Sequence, residues 1–92
     1  MEYNANPAKR HSTPAPAASA AAAIAALGAI RPGFRYKALY FNAVGEADVI
    51  DSYGNVETIQ TVVGGIYPLQ NCGVQSGGST TLNEGDFIAL YD

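Results

Sequence analysis

Turn residues recur at intervals of roughly ten through residues 34–92, a spacing that suits short antiparallel strands. Gly45, Gly54, Gly64-Gly65, Gly77-Gly78 and Gly85 cut the chain into β-type segments. In the first, Phe34, Tyr36, Ala38 and Tyr40 share one side, and Arg35, Lys37, Leu39 and Phe41 the other. Residues 47–51 form a short second strand, with Val49 and Ile50 on opposite faces. Ser52-Tyr53-Gly54-Asn55 is a hairpin turn, because Gly and Asn tolerate positive φ. Residues 56–63 are rich in β-branched side chains and are the clearest strand by propensity. Pro68 confines the next strand to an edge or a bulge. Residues 75–81 are a turn of Gly, Ser and Thr, and residues 87–91 close the unit. The pattern predicts an all-β fold, a small antiparallel sandwich or partly open barrel. Its expected core is Tyr36, Leu39, Phe41, Val49, Ile59, Val63, Ile66, Leu69, Val74, Ile88 and Leu90.

Residues 1–33 have a different composition. Prolines at 7, 14 and 16 keep residues 1–16 extended. Residues 17–29 are mostly alanine, the best helix former, with Ser19 available as a cap and Gly28 and Pro32-Gly33 as stops. A helix this short is marginal alone and needs a surface to lie on. Ile24, Leu27 and Ile30, three apart, mark its docking face; a flexible Ala/Pro linker is the competing description. The expected division is therefore an anchoring arm at 1–33, extended or partly helical, and a β domain at 34–92. The alanine run follows Lys9-Arg10-His11, but the rigid Ser12-Thr13-Pro14-Ala15-Pro16 between them fits a secretory signal poorly. The run also falls short of the roughly 20 apolar residues that span a bilayer, so no membrane partner is expected.

A chain of 92 residues buries a modest fraction of its surface, and disulfides, metals or oligomerisation often supply the missing stability. Cys72 is the only cysteine, which rules out an internal disulfide and makes a poor start for zinc. Oligomerisation is the device that remains. Charge is uneven: residues 1–33 carry three cations and one carboxylate, net +2, whereas residues 34–92 carry two cations and seven carboxylates, net −5. An acidic body argues against nucleic acid, and the polarity suits an arm lying on a neighbouring subunit.

The residues offer little chemistry. His11, the only histidine, stands among prolines and small polar residues, a poor setting for a positioned general base. Cys72 has no histidine nearby in sequence to activate it and reads as a small core residue. Asp48, Asp51, Asn55 and Glu57 form the densest set of oxygen ligands, but the loop is too short and wrongly ordered for a calcium site. Glu84-Gly85-Asp86 is similarly a solvated turn. Gly77-Gly78-Ser79-Thr80 lacks the lysine and following helix of a phosphate loop. No catalytic, cofactor or metal residue is assigned. The six tyrosines are more useful, since tyrosine is enriched at interfaces. Tyr53 at a turn tip, Tyr67 and Tyr91 join Ile24, Leu27 and Ile30 as expected contacts with another subunit or partner.

Three stretches together resemble a known family. Ala38-Leu39-Tyr40 with Gly45-Glu46-Ala47-Asp48-Val49 is similar to the start of a family of small tailed-phage virion proteins. Val62-Val63-Gly64-Gly65-Ile66-Tyr67-Pro68-Leu69 resembles its glycine followed by an aliphatic-x-Pro-aliphatic segment. A Gly/Thr-rich turn leading to Asp86-Phe87-Ile88-Ala89-Leu90-Tyr91 near the C-terminus is similar to the family too. A basic residue often follows the Pro segment in the family, where this chain has Gln70-Asn71-Cys72. The family includes the head-spike base protein of gene transfer agents. The resemblance spans most of residues 36–92. It implies a non-enzymatic, capsid-attached homo-oligomer, a pentamer at the vertices of the virion. Such an oligomer contacts the major capsid protein and carries a spike or fibre protein. Two other functions are weighed beside it. One is a secreted or surface module recognising a glycan through Tyr53 and residues 75–81. The other is a capsid decoration or tail-tip protein.

Overall fold

The computed structural model describes residues 8–92; the extended stretch expected at residues 1–7 lies outside them. Seven strands and one helix follow in order: β1 (Arg10–Ser12), α1 (Ala20–Ile30), β2 (Ala38–Phe41), β3 (Gly45–Asp51), β4 (Val56–Thr61), β5 (Ile66–Tyr67), β6 (Asn71–Gln75) and β7 (Phe87–Tyr91). They form two antiparallel sheets, one ordered β1-β7-β2-β5 and the other β4-β3-β6. The fold is all-β in character and sandwich-like. It is not a closed barrel.

The expected hairpin forms between β3 and β4. Asp51 N–H donates to Asn55 O (2.8 Å) and Gly54 N–H to Asp51 O (3.1 Å). Gly54 sits at φ +91°, a region closed to most side chains. The Asp51 carboxylate tightens the same turn, its Oδ1 accepting from the N–H groups of Tyr53 (2.8 Å) and Asn55 (2.9 Å). β6 joins β3 on the other side, with a register shift between Ile50 and Asp51.

Residues 8–33 belong to the same packed body. β1 adds to β7 in the register Arg10↔Tyr91, His11↔Leu90, Ser12↔Ala89. Ala17 then bridges to Gln75, donating to Val74 O (2.8 Å) and accepting from Ser76 N–H (2.7 Å). The alanine run is helical. Ser19 caps it, with Oγ accepting from Ala22 N–H at 3.0 Å. The helix runs through Gly28 and ends at Ile30, before Pro32-Gly33. It packs against β6, burying Ala23 and Leu27.

The core between these layers comprises Leu39, Phe41, Ala47, Val49, Ile50, Val74, Phe87 and Ala89, with Phe34, Tyr36, Cys72 and Leu82 around it. Five of the residues expected in the core are buried: Tyr36, Leu39, Phe41, Val49 and Val74. Ile59 packs against the core from its margin. Val63, Ile66 and Leu69 are instead exposed (66%, 58% and 60%), because the chain turns at residues 62–65 and leaves only a two-residue strand. In β7 the faces are exchanged relative to expectation. Phe87 and Ala89 point inward and Ile88 and Leu90 outward. Pairing fixes this: Phe41↔Phe87 and Leu39↔Ala89 place those residues beside the inward side chains of β2.

Candidate interaction surface

Side chains alternate across a strand, so register alone assigns the outer row of the β1-β7-β2-β5 sheet. His11 stands opposite Leu90, Leu90 opposite Ala38, Ile88 opposite Tyr40, and Tyr40 opposite Ile66. The water-facing side of an antiparallel sheet ordinarily carries polar residues. Here Ala38, Tyr40, Ile66, Ile88 and Leu90 are apolar or aromatic, and His11, Tyr40, Ile88 and Leu90 line a shallow hollow. The second sheet is mixed on its outer side. Its row facing away from the first sheet holds Glu46, Thr58, Gln60 and Gln75 alongside Ile50 and Val56, and Gln60 donates to Glu46 Oε2 at 3.0 Å.

Charge is polarised along the same sheet. All five cationic residues stand near the end where β7 finishes, with Asp92 among them. Lys9 N–H donates to Tyr91 O, Arg10 is paired with Tyr91, and Arg31, Arg35 and Lys37 line one cleft with Asp92. Lys37 Nζ lies 3.5 Å from Asp92 Oδ2. Arg31 stacks on Phe34, 4.7 Å from the ring centre. Arg35 donates to Ser52 O and Phe34 O, both at 2.9 Å. Glu84 and Asp86 stand where β7 begins, and Glu46 is nearby, its carbonyl accepting from Thr81 N–H.

The residues expected at contacts are dispersed. Leu27 is 3% exposed and Tyr67 9% exposed, both in this chain's own core. Leu27 is on the helix face that docks on β6, and Tyr67 pairs with Leu39 on the inner row. Ile24 is half-buried, its Cδ1 close over Gly54. Tyr91 joins an aromatic cluster, edge-on to Phe34 with centroids 5.4 Å apart and 6.0 Å from Tyr36. Ile30 (63%) and Tyr53 (88%) remain exposed. Tyr53 and residues 75–81 sit at opposite ends of β3: the hairpin follows Asp51, whereas Thr80 and Thr81 bond to Asp48 and Glu46. The structure therefore does not bring the two halves of the expected glycan site together.

Asp48 and Asp51 of β3 serve turns. Asp48 is 7% exposed, and its carboxylate accepts from Thr58 Oγ1 (2.6 Å) and Ser79 N–H (3.1 Å). Its own N–H donates to Thr80 Oγ1 at 2.9 Å. Gly78, at φ +54°, passes so close that a Cβ there would stand 2.6 Å from Asp48 Oδ2. Among the described residues no group of three His, Cys, Asp or Glu side chains is arranged to hold a metal ion. Burial pushes the Cys72 thiol above its ordinary range, with Arg35 pulling the other way. A raised thiol is a poor nucleophile near neutrality. Burial also raises the Tyr36 and Tyr67 hydroxyls, with Glu57 and Asp51 adding to the effect at Tyr67. No described helix is long and apolar enough to cross a membrane.

The outer row was within reach of sequence reasoning. Ala38-Leu39-Tyr40-Phe41 and Phe87-Ile88-Ala89-Leu90-Tyr91 are apolar at every position, the pattern of strands covered on both faces. No family model matches the chain, and neither curated proteins nor solved structures include a significant match to it.

Proposed function

We propose that the chain is a non-enzymatic structural subunit that works in an assembly. The carrying observation is the apolar outer face of the β1-β7-β2-β5 sheet, where Tyr40, Ile66, Ile88 and Leu90 stand in place of polar residues. Large exposed apolar patches on small proteins mark surfaces that associate with others. The groups that chemistry would recruit have other roles. Cys72 is buried, Asp48 holds the turn at residues 76–81, and Asp51 holds the hairpin. Combined with the resemblance carried by residues 36–92, this supports an oligomeric base on a virion capsid that anchors a head spike or fibre. The location test is antibody labelling of purified particles by electron microscopy. Label at capsid vertices is expected; label at the tail tip or over the whole shell means a tail-tip or decoration protein, and unlabelled particles overturn the virion reading.

A further inference from the structure

We infer that β4 pairs antiparallel with β4 of a second copy, about a two-fold axis that passes through Thr58 perpendicular to the sheet. The two three-stranded sheets then run on as one. This rests on the self-association part of the proposed function, is independent of the virion address, and uses a strand edge rather than the apolar outer face.

Register shows which backbone groups of β4 are open. In an antiparallel ladder, successive residues turn their N–H and C=O to opposite sides. On β3, Glu46 and Asp48 turn away from β4, because their N–H groups donate to Thr81 Oγ1 (3.0 Å) and Thr80 Oγ1 (2.9 Å). Thr80 Oγ1 lies on the β6 side, where it donates to Gln75 O. Gly45, Ala47 and Val49 therefore face β4 and bond to Thr61, Ile59 and Glu57. Val56, Thr58 and Gln60 are left with N–H and C=O pointing to the open side. The other edges are short or taken. β1 and β5 are three and two residues long, and Ala17 bonds to Val74 and Ser76 along β6. β4 has six residues, pairs with β3 without a register shift and holds no Lys or Pro. Bulges, lysines and prolines are what ordinarily blunt an edge.

The strand is complementary to itself, which selects a second copy as the occupant. Centring the pair on Thr58 sets Thr58 against Thr58 and Val56 against Gln60 on both sides of the axis, and each of these pairs exchanges two bonds. Centring on Glu57 or on Ile59 loses one of the three pairs. The Glu57 register also sets two carboxylates directly opposite, which is destabilising. The Thr58 register places each Glu57 beside the partner's Ile59 instead. Counted onward, it brings Tyr53 to the partner's Val63, with the partner's Val62 next to it. In one copy these three side chains are 88%, 66% and 59% exposed. The strand that saturates the backbone groups thus also covers the apolar turns at both ends of β4. It is already held extended by β3, whereas a free peptide loses conformational entropy on pairing. An isologous contact of this kind builds even-numbered assemblies, whereas a simple five-membered ring uses heterologous contacts.

Sedimentation equilibrium and amide exchange of the full chain, each over a concentration series, test the contact. A dimer, or an even multiple of it, is expected. The amides of Val56, Thr58 and Gln60 should gain protection as it forms, while those of Glu57, Ile59 and Thr61, bonded within the chain, are protected throughout. Gln60→Pro removes one outward N–H at a place where an edge strand tolerates proline. It should weaken the pair by about 10-fold or more, with circular dichroism checking that the variant stays folded; if it does not, exchange in the wild type decides. The register is read by mixing Glu57→Cys with Ile59→Cys under mild oxidation. These positions stand opposite with Cα atoms about 4.5 Å apart, within reach of a disulfide, so the mixture should cross-link and neither variant alone should. A monomer at tens of micromolar overturns the inference together with self-association, and leaves the edge to a strand of another protein. An oligomer whose three outward amides stay unprotected overturns the inference and leaves the proposed assembly role standing. Glu57→Cys that cross-links to itself overturns the Thr58 axis.

Discussion

Asn71 shows how much one side chain does at the register shift of β6. It is fully buried; its Nδ2 donates to Leu69 O and its Oδ1 accepts from Gly73 N–H, both at 2.9 Å. Its backbone exchanges hydrogen bonds with Tyr36 at 2.9 and 3.1 Å. The side chain therefore satisfies backbone groups that the bulge removes from the ladder. Asn71→Ala leaves the Gly73 donor buried without an acceptor and should cost about 2 kcal/mol, measured by urea denaturation. Asp51 acts in the hairpin through its ionised form. The Asn55 backbone N–H leads in holding its carboxyl below the usual range; desolvation opposes it, and the Tyr53 N–H adds to the lowering. A carboxyl lowered in the folded state stabilises it above the unfolded value, about 3.9, and loses that contribution as pH falls through the lowered folded value. The protection of the Tyr53 and Asn55 amides, taken relative to their intrinsic exchange rates at each pH, should accordingly fall in acid, and Asp51→Ala should abolish that dependence. Unchanged protection in the wild type down to full protonation of Asp51 would show that the turn holds without the charge.

At the scale of elements, α1 survives by docking rather than by its own propensity. Eleven residues are too few for a stable isolated helix, and no acidic residue in its first turn or basic residue in its last turn offsets the dipole. Ser19 supplies the cap, so Ser19→Ala should lower stability by about 1 kcal/mol, read as a shift in the thermal midpoint. Its start and hairpin β3–β4 were legible because each has local chemistry: an N-cap serine before alanines, and Gly54-Asn55 after an aspartate. β1 was not legible, since three residues between prolines have no period and owe their conformation to the edge of β7. The inward face of β7 was hidden for a different reason. Phe87, Ile88, Ala89 and Leu90 make both rows apolar, so alternation does not choose between them and only pairing with β2 does. The chemistry of Asp48 was also invisible locally, because its partners Thr58, Ser79 and Thr80 come from two other segments.

For the whole molecule, the decisive question is what residues 8–33 contribute to the remaining strands. β1 covers the edge of β7, and Ala17 bonds to both Val74 and Ser76 alongside β6. Leu27 and Ala23 then close the region bounded by Tyr36, Cys72 and Val74. Removing a buried leucine side chain alone costs about 3 kcal/mol, and total stability of a small domain is only about 5–15 kcal/mol. Excision also uncovers the edge of β7 and one side of β6, both of which template pairing with other chains. What remains is about 60 residues, a size at which burial is marginal. The 34–92 fragment should therefore lose the cooperative thermal transition of the full chain in calorimetry. Leu27→Ala in the full chain should keep the transition at a lower midpoint. Adding a peptide of residues 8–33 to the fragment should recover the transition, because the missing contacts are noncovalent. A fragment that melts as sharply and as high as the full chain would make β1 and α1 appendages of an independent β unit.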